Sequence, residues 1–282
     1  MTTGFASLNG ASIYYEVEGE GQPLVLIHSL LLHSGMWDDQ MAAFSGDYKV
    51  LRYDLSGFGK SQPVTASDVD DLIALLDQLN IGSVHLVGLS IGAEIALNFT
   101  LSHPDRVKKL VLVSSGLEGY EYSEISQKNW QNFITPVQNR DFATAREVFL
   151  KQVIDGPISP ATPEVREHAR QMMETYTFAN FFPPESAESP EGQSEVQMSE
   201  RPATTEVPIP AYKPQIERLG EIQSPTLIVV GNRDEPDTVR VGSVLAEGIS
   251  NAHLVVIAGA AHIVNLEQAA AFNRIVLDFL AK

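Results

Sequence analysis

The chain has 282 residues, 44% of them hydrophobic and 20% charged, an ordinary globular balance that excludes disorder as the whole-chain state. A net charge of -17 makes nucleic acid and acidic membrane surfaces poor partners and weakly disfavours a strongly anionic substrate. The absence of cysteine removes disulfides, thiolate metal sites and a cysteine nucleophile.

The N-terminal stretch lacks the basic start and apolar core of a signal peptide, and no apolar run reaches membrane-spanning length, so a cytoplasmic protein is expected. Alternation near Phe5–Leu8 and Ser12–Val17 predicts an antiparallel opening pair. Runs dense in Val, Leu and Ile then predict buried strands at Pro23–His28, Val50–Asp54, Val84–Gly88, Lys109–Ser114, Thr226–Gly231 and His253–Ile257. Between them, Asp68–Leu79 places Val69, Leu72, Ile73, Leu76 and Leu79 on one helical face, with Ser67 as its N-cap. A matching stripe runs from Leu266 to Phe279. Such alternation predicts an α/β fold with a mostly parallel sheet and helices on both faces.

After Ser115 the strand pattern stops. Helices are predicted over Glu124–Val137, Ala143–Ile154 and Pro163–Tyr176, and the stretch 183–210 is rich in Glu and Pro and poor in apolar residues. The predicted division is a core of residues 1–115 and 214–282 and an inserted helical cap, 116–213, carrying an acidic mobile loop.

The sharpest local signal is Gly88-Leu89-Ser90-Ile91-Gly92, after a Val-rich strand and before a helical pattern. G-x-S-x-G in strand–turn–helix context is a nucleophile elbow: the tight turn needs glycines, and it holds the Ser90 hydroxyl at a helix N-terminus. Serine needs a neighbouring base, and His262, in the loop after the last predicted strand, is the candidate. The imidazole needs an orienting acid. Asp234, off the end of Thr226–Gly231, gives the chain order Ser…Asp…His, and Asp237 competes with it.

With these motifs in place, the chain resembles the α/β-hydrolase superfamily over nearly its whole length. The likeness rests on His28-Ser29-Leu30, Met36-Trp37-Asp38, Asp54–Ser61, the elbow, Gly231–Asp234 and His262 with Asn265–Gln268. It leans toward carboxylesterases and enol-lactone hydrolases in the branch that also holds carbon–carbon bond hydrolases. The resemblance implies an oxyanion hole from the backbone N–H groups of Leu30 and Ile91. Ser29 departs from the family's usual glycine, Ser56 from its arginine and Ala93 from a second glycine.

Ser29, His33, Trp37 and Phe181 are candidates to line a substrate pocket, with packing as the other reading for His33 and Trp37. The aromatics Tyr176, Phe178, Phe181 and Phe182 form either a pocket or the cap's own core. His85, inside a strand, reads as structural. No cofactor and no metal are expected. The expected activity is hydrolysis of an ester or lactone of a small, mainly uncharged substrate through an acyl-enzyme. Alternatives are a carbon–carbon hydrolase or lyase on the same triad, and a slow-hydrolysing receptor of the same fold.

Overall fold

An Asn9-Gly10 turn, both residues at positive φ, joins strand β1 (Thr2–Leu8) to β2 (Ala11–Glu18) in the predicted antiparallel hairpin. The computed structural model describes residues 1–62, 67–182 and 213–282, so the acidic stretch expected at 183–210 lies outside the described residues. Six further strands follow: β3 (Gln22–Ile27), β4 (Tyr48–Tyr53), β5 (Val84–Leu89), β6 (Val107–Val113), β7 (Thr226–Gly231) and β8 (Ala252–Ile257). They join the hairpin in one sheet of order β1-β2-β4-β3-β5-β6-β7-β8, in which β3 to β8 run parallel and β2 pairs antiparallel with both β1 and β4. The strand order reverses direction at β3, which places β5 at the centre of the sheet, where α/β folds put their sites.

Burial follows position in the sheet. All six residues of β5 and all six of β7 are buried, whereas β8, at the edge, is only half-covered and leaves Val256 exposed. The expectation that His253–Ile257 is covered on both faces is therefore corrected, because an edge strand has a neighbour on one side only.

The helices are α1 (Asp38–Phe44), α2 (Asp68–Gln78), α3 (Ile91–Ser102), α4 (Glu124–Gln138), α5 (Phe142–Phe149), α6 (Pro163–Glu174), α7 (Gln215–Arg218), α8 (Pro236–Gly248), α9 (Val264–Glu267) and α10 (Ala269–Leu280). They cover both faces of the sheet: α3 packs on β3, β5 and β6, α8 on β7 and β8, and α1 against α10. Ser67 stands at the start of α2, but its side chain makes no capping bond. The helix predicted over 143–154 ends in a π-helical turn, Leu150–Ile154, and the C-terminal stripe breaks at Gln268 into α9 and α10.

An ionic cluster on a buried arginine ties the first half together. Arg52 on β4 reaches Glu16 on β2 at 2.6 Å and Asp38 on α1 at 2.5 Å, and it also donates to the Ser34 carbonyl. A buried guanidinium is tolerable only when its donors are used in this way.

Candidate active site

The turn from β5 into α3 carries Ser90 at φ 57 and ψ -119, a strained conformation for a residue with a side chain. Three bonds lock it: Ser90 N–H donates to Val113 O (2.9 Å), and the Ser90 carbonyl accepts from Ala93 N (2.9 Å) and Glu94 N (3.1 Å). The flanking glycines are steric necessities. A Cβ on Gly88 would overlap the Gly92 carbonyl, and one on Gly92 would overlap the Ile27 carbonyl and lie 2.6 Å from that of His28.

The loops after β7 and β8 are bonded to each other. Arg233 N donates to Ala260 O (2.9 Å), and Gly259 N donates to Asn232 Oδ1 (2.8 Å). That lacing brings the Asp234 carboxylate to 3.1 and 3.2 Å from His262 Nδ1, and leaves Nε2 as the other ring nitrogen. The carboxylate is held in turn by Glu235 N at 2.7 Å. Burial works against the His262 cation, but the Asp234 charge, their hydrogen bond and the charges of Glu235 and Glu267 outweigh it, so the imidazole's pKa is raised.

Asp237 is used elsewhere. Its carboxylate accepts from Ser123 N (2.7 Å) and Ser126 Oγ (2.7 Å) and pairs with Arg240 (3.0 Å). It pins the start of α4 to α8.

Leu30 follows β3 in a loop fixed by His28, which is fully buried. His28 Nε2 accepts from Leu55 N (2.9 Å), so its Nδ1 carries the proton donated to Ser29 O (2.8 Å). Burial pushes this imidazole down to about 4, which keeps it neutral. Neither the Leu30 nor the Ile91 N–H has a partner among the described residues. Leu30, Ser90 and His262 line one cavity of about 410 Å³, roofed by residues of α4, α5 and the π-helical turn. Ser90 Oγ and the His262 ring make no direct hydrogen bond here, and such bonds often tighten only with substrate bound.

The family model for the alpha/beta hydrolase fold matches residues 22–269. The chain belongs to that family. It is 29% identical over 287 residues to a 2-hydroxy-6-oxononadienedioate/2-hydroxy-6-oxononatrienedioate hydrolase of Pseudomonas putida, covering 95% of this chain and 91% of the relative. Among solved structures, Est816, described as an N-acyl homoserine lactone degrading enzyme, aligns with TM-score 0.74 and 26% identity over 98% of this chain and 99% of that one. The enol-lactonase of Burkholderia xenovorans LB400 aligns with TM-score 0.75 at 23% identity, over 99% and 100% of the two chains.

In this hydrolase, the four residues expected to line the pocket are not among those around the cavity. Trp37 is fully buried and leans on Phe272 of α10 at 6.2 Å between ring centroids, because the 3-10 turn Ser34–Trp37 turns it inward. His33 caps that turn, its Nδ1 accepting from Gly35 N at 3.0 Å. Ser29 is buried and its backbone N–H points to Met36 Sδ at 3.3 Å. Phe181 packs edge-on against Phe133 at 6.0 Å. Tyr176 stacks on Phe58 (4.5 Å) and Phe178 on Phe142 (4.6 Å), so this cluster is packing between the inserted helices and the body.

The aromatic residues that do line the cavity are Tyr122, Trp130, Phe133 and Phe149. Trp130 and Phe133 stand three apart on α4, a spacing visible in the sequence. Glu94, Glu235 and Glu267 were also missed. Glu94 had a signal, since it stands one helical turn beyond Ser90. Among the described residues, no cluster of three His, Asp or Glu side chains gathers as metal ligands, and no helix is long and apolar enough to cross a membrane.

Proposed function

We propose that this chain hydrolyses an ester or lactone of a small, mainly uncharged substrate through an acyl-enzyme on Ser90. Substrate enters beneath the cap formed by 116–213, and the core of 1–115 and 214–282 supplies the chemistry. Ser90 Oγ attacks the carbonyl carbon as His262 Nε2 takes its proton. Asp234 fixes the tautomer with the proton on Nδ1 and stabilises the imidazolium. The unpartnered N–H groups of Leu30 and Ile91 receive the oxyanion, where each well-placed donor contributes about 3 kcal/mol to transition-state stabilisation. His262 then protonates the leaving alkoxide and deprotonates the water that releases the acid.

The observation that carries this reading is the Asp234–His262 pair at 3.1 Å, with His262 lining the cavity that also holds Ser90. Fluorophosphonate labelling tests it: wild type should be labelled at Ser90 and turn over 4-nitrophenyl butyrate, and Ser90→Ala should do neither. An unlabelled wild type with no turnover of esters or lactones would sink the proposal.

The Pseudomonas relative supports a second reading, cleavage of a carbon–carbon bond in a vinylogous ketone by the same three residues. That relative is named for a dioate, an anionic substrate, and the cavity here holds two carboxyl side chains and no Lys or Arg among its described lining residues. The ester reading is preferred on that ground. Turnover of a dienoate faster than of any ester would reverse the order.

A further inference from the structure

Glu94 is an unusual group to find beside a nucleophile. It lies in the first turn of α3, four residues after Ser90, and lines the same cavity. Its side chain runs along Gly116, where any Cβ would overlap its Oε1. Its backbone is fixed as well, the carbonyl accepting from Gln215 Nε2 at 3.3 Å and the N–H donating to Ser90 O. No hydrogen bond or ion pair reaches the carboxylate among the described residues. A half-buried carboxylate at a cavity wall normally has a partner, because losing water costs it free energy that only a donor can restore. Among the described residues, the place left for a donor is the cavity itself.

The same cavity holds a second acid, Glu235, whose carboxylate accepts from Asn129 Nδ2 at 2.8 Å. Apart from His262, the rest of the described polar lining is neutral, including Ser115, Ser126, Gln127 and Gln152. A carboxylate substrate entering this space meets like charge, with no Lys or Arg among the described lining residues to offset it. Like charges facing each other in a space with little water repel more strongly than they would in bulk water.

We infer that Glu94 is a specificity-determining residue that excludes anionic substrates and accepts a hydrogen bond from a hydroxyl or amide N–H of a neutral ester or lactone. The inference rests on the ester-hydrolase reading and deepens it. It also separates this chain from the relative named for a dioate.

A matched pair tests it: methyl 4-nitrophenyl adipate, neutral, against 4-nitrophenyl hydrogen adipate, a monoanion of nearly the same shape. The assay is run at pH 8, above the value of about 7 to which burial and then the Glu118 charge push the Glu94 carboxyl. Wild type should favour the neutral ester in kcat/KM by about 30-fold, and Glu94→Gln should narrow that ratio about tenfold, or ~1.4 kcal/mol. The change should fall mainly on KM for the anion. Glu94→Leu should narrow the ratio too, while also slowing a substrate that offers a hydroxyl. A wild-type ratio near one, which needs no variant to measure, overturns the inference. So does an unchanged ratio in both variants when melting curves show them folded. In those outcomes both esters are still hydrolysed, so the ester reading stands. Failure to hydrolyse either ester, with no fluorophosphonate labelling of Ser90, breaks the ester reading itself and takes the inference with it.

Discussion

The floor and the roof of the cavity are built by different rules. On the floor, backbone atoms decide almost everything: the Ser90 turn is closed by three main-chain bonds, and the loops carrying Asp234 and His262 are laced by Arg233 N to Ala260 O and Gly259 N to Asn232 Oδ1. On the roof, side chains decide. Trp130 and Phe133 of α4, Phe149 of α5 and Gln152 of the π-helical turn define the space, and Trp130 is about half-exposed at 53%. In the proposed reading, attack chemistry fixed by the backbone tolerates little change, whereas a wall of side chains can be altered residue by residue. Variation in substrate is therefore expected in the roof and variation in rate on the floor.

The harshest break of that contrast is Ser90→Ala, which should lower kcat for 4-nitrophenyl butyrate by about 10³ or more while the melting temperature stays within a few degrees. Next is a comparison of two neighbouring acids. Asp234→Asn should cost about 10²–10⁴ in kcat with little loss of stability, because it removes the group that orients His262. Asp237→Asn should do the reverse, lowering stability by about 1–3 kcal/mol through its bonds to Ser123, Ser126 and Arg240, with only a small effect on kcat. Chemical denaturation alongside initial rates separates the two. A larger kcat loss at Asp237 would mean that the Asp234–His262 pair is not the working one.

Legibility in the sequence follows the same divide. The elbow could be read because its cause is local: Gly88 and Gly92 collide with atoms a few residues away or on the adjoining strand. The strands could be read because a central strand such as β5 is buried throughout and apolar apart from His85. Favouring Asp234 over Asp237 needed the chain order as well, and the lacing that puts Asp234 beside His262 is tertiary. Trp37 was misplaced because nearness to the oxyanion loop in sequence says nothing about where a 3-10 turn aims a side chain. Here it aims at Phe272 of α10, more than 200 residues on, and Asn265 Nδ2 of the neighbouring α9 bonds the Met36 carbonyl at 2.8 Å. The roof was least legible. The pattern of α4 shows an apolar face but not that the face looks down on Ser90.

On the roof, Phe133→Ala should be felt mostly in binding. Phe133 is 3% exposed and touches Trp130, Phe149 and Phe181, so its loss should destabilise the chain by about 3 kcal/mol and raise KM about tenfold for an apolar ester. kcat should fall far less than in the floor variants. An equal loss of kcat with KM unchanged would mean that roof and floor act as one unit.

The smallest expected effect joins the two regions through charge. In the proposed mechanism His262 must be neutral to take the Ser90 proton, and its pKa is raised, so the acidic limb of kcat/KM against pH should lie above the ordinary histidine value of about 6.5. Glu267 is one of the charges that raise it. Its carboxylate accepts from Ala261 N at 2.8 Å, beside His262, and faces Arg233 at 3.8 Å. Glu267→Gln removes that charge, favours the neutral imidazole, and should move the limb to lower pH by a few tenths of a unit, about 0.5 kcal/mol. Stability should respond with the opposite preference. A raised pKa in the folded state favours folding below about pH 6.5, and this contribution fades as pH rises through the folded value. The variant should therefore lose stability at pH 6 relative to pH 9 while gaining relative activity at pH 6. A limb moving upward instead would show that Glu267 acts by holding the loop through Ala261 rather than by its charge.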